Sequence, residues 1–197
     1  QAGRELAIRK RGTEAIPFLE RAIGLDPANE TGKVPRALLL LARTVYIEQL
    51  KAYDKAMPLL ERLAKNHPTT FHGREATYMM ARAYIEQKQI DKAKEVLRTE
   101  VVINPADAIS YHRFGTFCLR YRLLYPEALE TLEEGLKQHP KAAYLWKVKA
   151  DLAFRLKRYD DAEGALKKAM ELQPKNKTYK RLLDVYENAR KPKKGTQ

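Results

Sequence analysis

The residues whose types could do chemistry are four histidines, one cysteine and two adjacent acidic pairs. His67, His72, His112 and His139 include no pair at i, i+4 with a glutamate between them, the spacing of a zinc-binding helix. His67 and His139 each stand immediately before a proline and lie far apart along the chain. Cys118 has nothing near it in sequence that would activate a thiol, so it reads as buried filler. Glu133-Glu134 and Asp160-Asp161 are at i, i+1, where side chains on a helix point in different directions, so neither is a working carboxylate pair. There is no glycine-rich phosphate loop. These residues predict no catalytic centre, no metal site and no cofactor, hence not an enzyme. Binding chemistry remains. The chain has 38 Lys+Arg against 25 Asp+Glu, a net charge of +13, and residues 141–197 hold 16 Lys+Arg and 7 Asp+Glu. A basic end attracts acidic partners over long range, although an ordinary solvated surface has the same composition.

The elements that must position such residues are helical. Of 197 residues, 44% are hydrophobic and 32% charged, with few glycines and scattered prolines, which excludes collagen-like, disordered and strand-rich classes. Apolar residues recur with a period near 3.6 and no alternation, which predicts an all-α chain. A single cysteine excludes an internal disulfide framework. The longest apolar run, around Leu38 to Leu41, is bounded by Arg36 and Arg43 and falls short of the roughly 18–20 residues of a spanning helix. No signal peptide is read. The expectation is a soluble chain, cytoplasmic by default, with an anchor or targeting segment upstream of Gln1 left open.

A repeat organises the chain. Prolines recur at Pro27, Pro68, Pro105, Pro140 and Pro174, with spacings of 41, 37, 35 and 34. An alanine stands twelve residues before each (Ala15, Ala56, Ala93, Ala128, Ala162), and a leucine follows that alanine by four (Leu19, Leu60, Leu97, Leu132, Leu166). A period in this range marks a helical-repeat array. Tyr46-Ile47-Glu48-Gln49 recurs as Tyr84-Ile85-Glu86-Gln87, internal evidence of duplication. Helix pairs are predicted at 34–50 and 53–66, 71–87 and 91–103, 107–122 and 126–138, and across 143–172. Residues 1–27 supply an incomplete first unit and 28–174 four complete ones. Thr13 and Asp54 are the predicted N-caps that put Pro17 and Pro58 in first turns. Tyr179, Leu182, Leu183 and Tyr186 form one apolar stripe, so 175–190 is predicted to cap the array, and 191–197 to be a disordered basic tail.

Residues 143–174 show the unit most fully, through Trp146, Ala150, Tyr159, Ala162, Leu166, Ala169 and Pro174. This unit resembles the tetratricopeptide (TPR) repeat, whose pattern is roughly 34 residues long. The tyrosine usual late in the family's first helix is Ala153 here, with Phe154 beside it. The resemblance covers nearly the whole chain, to about Pro174. It implies a right-handed superhelical solenoid of antiparallel helix pairs.

It also implies a concave groove lined by first helices. Carried over repeat by repeat, the groove positions are Leu40, Leu41, Thr44, Ile47 and Glu48; then Glu75, Tyr78, Met79, Arg82 and Ile85; then His112, Arg113, Thr116, Leu119 and Arg120; then Tyr144, Lys147, Val148, Asp151, Phe154 and Arg155. The carry-over assumes that the insertions in repeats two and four lie in the turns. Such a groove is apolar at one end and basic with aromatics at the other. It implies a non-catalytic scaffold or adaptor that binds a protein or peptide with apolar anchors and acidic residues. The Lys and Asn pattern of the chaperone-tail clamp is absent, with only Arg113 matching. The alternatives are a basic surface for RNA, DNA or an anionic membrane, and self-association through the incomplete first repeat.

Overall fold

A computed structural model describes residues 1–190; the basic tail at 191–197 lies outside the described residues. Among the described residues there are eleven helices and no strand, so the fold class is all-α. The chain divides into two compact units, the first Gln1–Ile103 and the second from Asn104 onward. In the first unit α1 (Ala2–Ile8) precedes α2 (Gly12–Gly24), and α3 (Val34–Leu39) runs on as a π-helical segment (Leu40–Leu50). Then come α4 (Tyr53–Asn66), α5 (Phe71–Glu86) and α6 (Ile90–Ile103). The second unit holds α7 (Ala108–Tyr121), α8 (Tyr125–Gln138), α9 (Ala143–Arg155), α10 (Tyr159–Leu172) and α11 (Lys177–Arg190).

The repeated alanines and leucines explain the pairing. All five alanines are completely buried, and the five leucines are buried with them. Each alanine also donates the first i→i−4 bond of its helix, to Arg11, Ala52, Gln89, Leu124 or Arg158. A methyl at that point lets the second helix approach the first closely, which a larger side chain would prevent. In the first unit one core joins Ala15, Leu19, Leu38, Val45, Ala56, Leu60 and Met80. In the second unit Ala150, Ala153, Ala162, Leu166 and Ala169 pack with Tyr179 and Tyr186 of α11. Trp146 packs partly against that core and donates its indole N–H to Pro140 O at 2.8 Å.

Each helix pair turns on a basic residue in the left-handed region: Lys10, Lys51, Lys88, Arg122 and Lys157, with φ between 55° and 61°. The next residue then reaches back to close the first helix. Arg11, Gln89, Leu123 and Arg158 donate to the fifth residue before them, at 2.8–3.1 Å. This is the Schellman pattern, and a positive side chain suits the C-terminal end of a helix dipole. Repeat two differs, since Ala52 N–H reaches Tyr46 O, six residues back, at 2.8 Å.

The predicted N-caps are corrected. The turn residue feeds the chain directly into the helix, so α2 starts at Gly12 after Arg11 and α4 at Tyr53 after Ala52, and neither has a side-chain cap. Pro17 and Pro58 are the sixth helical residues, not first-turn residues, and each removes one i→i−4 bond. Both prolines are exposed, as are Thr13 and Asp54, whose carbonyls lose that bond.

Candidate functional site

In the second unit α7 and α9 lie side by side. Gly115 makes this approach possible, because a Cβ there would come within 2.6 Å of Val148. Gly135 does the same for α8, where a Cβ would meet the Tyr111 ring at 2.5 Å. On α7, His112, Thr116 and Arg120 follow at i, i+4 and i+8 along one face, with Arg113 beside them. On α9, Tyr144, Lys147, Asp151, Phe154 and Arg155 do likewise.

The two faces meet at an aromatic pair. The His112 and Tyr144 rings are 5.3 Å apart and nearly perpendicular, an edge-to-face contact. Burial, with the Lys147 charge nearby, pushes the His112 pKa below its ordinary value and keeps the imidazole neutral at pH 7. Thr116 turns its hydroxyl back onto His112 O at 2.8 Å. Lys147 Nζ is 2.6 Å from Asp151 Oδ2. Asp151 also accepts the Tyr186 hydroxyl, and the Tyr186 ring stacks on Phe154 at 4.3 Å. Burial and then Asp151 raise the Tyr186 pKa, so it stays a donor. Arg120 and Arg155 are exposed and have no carboxylate partner among the described residues.

The first unit is different. Leu40 and Thr44 are half-exposed, and Met79 packs partly on the core. Arg82 Nε is 2.8 Å from Glu86 and its Nη1 is 3.9 Å from Glu48. Arg43 joins the same network, 3.1 Å from Glu48 and 3.7 Å from Glu75. Glu86 also accepts the Tyr53 hydroxyl. The arginines of this face therefore meet carboxylates on neighbouring first helices.

Four expected groove residues are corrected. Ile47 has no exposed surface, Leu41 and Val148 have about 1%, and Tyr78 has 4%. Ile47 and Leu41 lie in the π-helical segment, where i→i+5 bonding turns the chain less per residue than an α-helix does. Consecutive residues Val45, Tyr46 and Ile47 are all buried as a result. Val148 fills the space left by Gly115. Tyr186 was not among the expected site residues. It sits in the apolar stripe of α11, a signal for packing that does not reveal its reach to Asp151 and Phe154.

The other candidate chemistry is absorbed by structure. Cys118 is buried, and burial pushes its thiol up to about 12, far from a reactive thiolate. Glu133 pairs with Lys149 at 2.9 Å, Asp161 with Arg158 at 2.6 Å and Asp160 with Arg190 at 2.6 Å. Among the described residues no cluster of His, Cys, Asp and Glu could hold a metal, and no helix is long and apolar enough to cross a membrane.

Two family models described as Tetratricopeptide repeat match residues 48–114 and 119–177. No curated protein matches the chain. Among solved structures, MamA is 20% identical with a TM-score of 0.56, over 91% of this chain and 98% of that one. TTC0263, a thermophilic TPR protein of Thermus thermophilus, is 21% identical with a TM-score of 0.54, over 95% of this chain and 96% of that one. YrrB, a TPR protein with an unusual peptide-binding site, is 19% identical with a TM-score of 0.54, over 92% and 88%. The helix pairs, the buried alanine at each crossing and the two family matches lead to one assignment: the chain belongs to the tetratricopeptide-repeat family.

Proposed function

We propose that this chain is a non-catalytic scaffold that holds a partner protein by a peptide laid along its first helices. The family is an interaction fold, which supports the general reading. The observation that carries the finer one is the face of α7 and α9. There the His112–Tyr144 pair adjoins Arg113 and Lys147, with exposed Arg120 and Arg155 further along. Aromatic rings give a peptide apolar contact area, and cations beside them select acidic residues. Packed helices hold these side chains before the ligand arrives, so little ordering cost is left to binding. Asp151 already balances the charge of Lys147, which leaves exposed Arg120 and Arg155 as the main attraction.

The test uses partners captured by the immobilised chain and identified by mass spectrometry. Affinity for a captured partner is then measured with two triple variants at two salt concentrations. Charge reversal at Arg113, Arg120 and Arg155 is expected to weaken binding by at least about tenfold. Neutralising Lys191, Lys193 and Lys194 is expected to change it by less than about threefold, because long-range attraction is screened at physiological salt. Equal losses with a steep salt dependence would instead favour a polyanion, either nucleic acid or anionic lipid. That second reading is motivated by the basic excess in residues 141–197.

A further inference from the structure

A hollow of about 490 Å³ opens in the first unit between the second helices α2 and α4, with the π-helical segment as its floor. Leu41 and Tyr46 make that floor and are buried. Residues five apart stand roughly 140° apart around an α-helix, and i→i+5 bonding brings them toward one side. Leu41 therefore faces the second helices. Ile23 of α2 and Leu59 of α4 are half-buried and form the walls. The mouth is open at Gly24, the last residue of α2, where a Cβ would meet nothing within 4 Å.

Two opposite charges flank this apolar surface. Glu20 of α2 accepts the Tyr46 hydroxyl at 3.3 Å, and Lys55 of α4 stands on the other wall. Burial, and then Glu20, raises the Tyr46 pKa, so the phenol stays a donor. Glu20 and Lys55 are both exposed, and neither forms an ion pair with the other or with any other described residue.

We infer that this hollow binds a small zwitterion with an apolar body, of the class of a free α-amino acid with a large apolar side chain. That side chain would lie on Ile23, Leu41 and Leu59. The carboxylate would take the Lys55 ammonium, and the ligand's ammonium would take the Glu20 oxygen that Tyr46 does not use. The volume suits one small ligand. Charge decides the class. A plain carboxylate would bring a second negative group against Glu20, and a plain amine a second cation against Lys55, so each loses part of what its matching contact gains. A zwitterion matches both. The interior of a peptide carries neither charge on its backbone, and the hollow belongs to second helices, so this site is separate from the face on α7 and α9.

The experiment uses the full chain and four probes. They are L-phenylalanine, N-acetyl-L-phenylalanine without the ammonium, L-phenylalanine amide without the carboxylate, and glycine without the apolar side chain. Dissociation constants are read from amide NMR shifts around Gly24, Leu41 and Lys55. Because the hollow is open, L-phenylalanine is expected to bind at about 1 mM. Glycine is expected to bind at least about tenfold more weakly, and each blocked derivative at least about threefold more weakly. Lys55→Ala is expected to abolish the preference for L-phenylalanine over its amide and to keep the preference over the N-acetyl form. Glu20→Gln, which can still accept the Tyr46 hydroxyl, is expected to do the reverse. Gly24→Leu fills the mouth and is expected to weaken L-phenylalanine at least about fivefold. The three substituted residues are exposed, and circular dichroism checks that each variant folds. No saturable shift up to about 10 mM L-phenylalanine would overturn the proposal. Equal affinity for the three phenylalanine probes would reduce the effect to apolar adsorption and overturn it. Tighter binding of either blocked derivative would make the hollow a site for a plain anion or a plain amine, and a preference that survives its own variant would place charge recognition elsewhere. Both would overturn it as well. The arginines of α7 and α9 are unaltered throughout, so failure here leaves the peptide reading standing.

Discussion

Between the last turns of the first helix and the buried alanine of the second, repeats two and four each carry one residue more than repeats three and five, and they absorb it in different places. In repeat four the extra residue sits in the turn. Arg122 is left-handed as in every pair, and Leu124, two residues later, is left-handed as well with φ 52°. α7 stays α-helical, Leu123 closes it onto Cys118 in the usual way, and the faces of α7 keep their register. In repeat two the turn has its ordinary length, with Lys51 five residues before Ala56 as Lys88 is before Ala93. There the extra residue has gone into the helix. Leu40–Leu50 widens to i→i+5 bonding, and the closing bond from Ala52 spans one residue more. A turn insertion leaves the side chains of the preceding helix where the repeat puts them. A helix insertion rotates them, and this is how Ile47 came to the core while His112 and Thr116 remained on the surface.

The largest expected effect tests that rotation directly. Ile47→Ala removes buried methyl groups from the first unit's core and is expected to cost about 2–5 kcal/mol. Were the segment an ordinary α-helix with Ile47 on the groove face, the same change would cost less than about 0.5 kcal/mol. Urea unfolding followed by circular dichroism separates the two outcomes. A cost under about 1 kcal/mol would reinstate the α-helical register.

Deleting Leu50 should have a smaller effect. It takes out the residue that the π segment accommodates and permits the closing bond used by the other four pairs. Val45, Tyr46 and Ile47 would then have to rotate within a packed core, at an expected cost of about 1–3 kcal/mol. Amide hydrogen exchange should show lower protection across residues 34–66, with α7 unchanged. Protection that rises on deletion would mean the widened helix is strained by the insertion and not held by its packing.

What was legible in the sequence follows from the same distinction. The alanine and leucine positions were readable because a close helix crossing tolerates only small residues at fixed offsets, and all ten are buried. The stripe of α11 was readable from its spacing, and Tyr179 and Tyr186 are its buried members. The extra residue of repeat four was expected in its turn, and the left-handed Arg122, six residues before Ala128, places it there. The π segment was not readable, because apolar residues in α and π registers look alike over three turns and the extra residue can be assigned to either place. The caps at Thr13 and Asp54 failed for another reason. Their residue types suit an N-cap, but a left-handed turn a few residues earlier had already started the helix. Side-chain ion pairs were beyond reach as well, so Arg82 could be named for the groove but not its bonds to Glu86 and Glu48.

The smallest expected effect decides where repeat two keeps its extra residue without disturbing the core. Lys51 and Arg122 are both exposed and both left-handed, with φ 55° and 57°. The left-handed conformation costs a side chain with a Cβ about 1–2 kcal/mol and costs glycine almost nothing. Glycine also loses more freedom on folding and gives up a cation at the helix C-terminus, each worth up to about 1 kcal/mol. The net gain from Lys51→Gly or Arg122→Gly is therefore expected to be about 0.5 kcal/mol, and similar at the two sites. If repeat two instead held its insertion in a longer turn, Lys51 would have no reason to be left-handed. Lys51→Gly would then show only the entropic loss and destabilise, while Arg122→Gly still stabilised. Paired urea titrations of the two variants read this as opposite shifts of the midpoint, and shifts of the same sign would keep the extra residue in the helix.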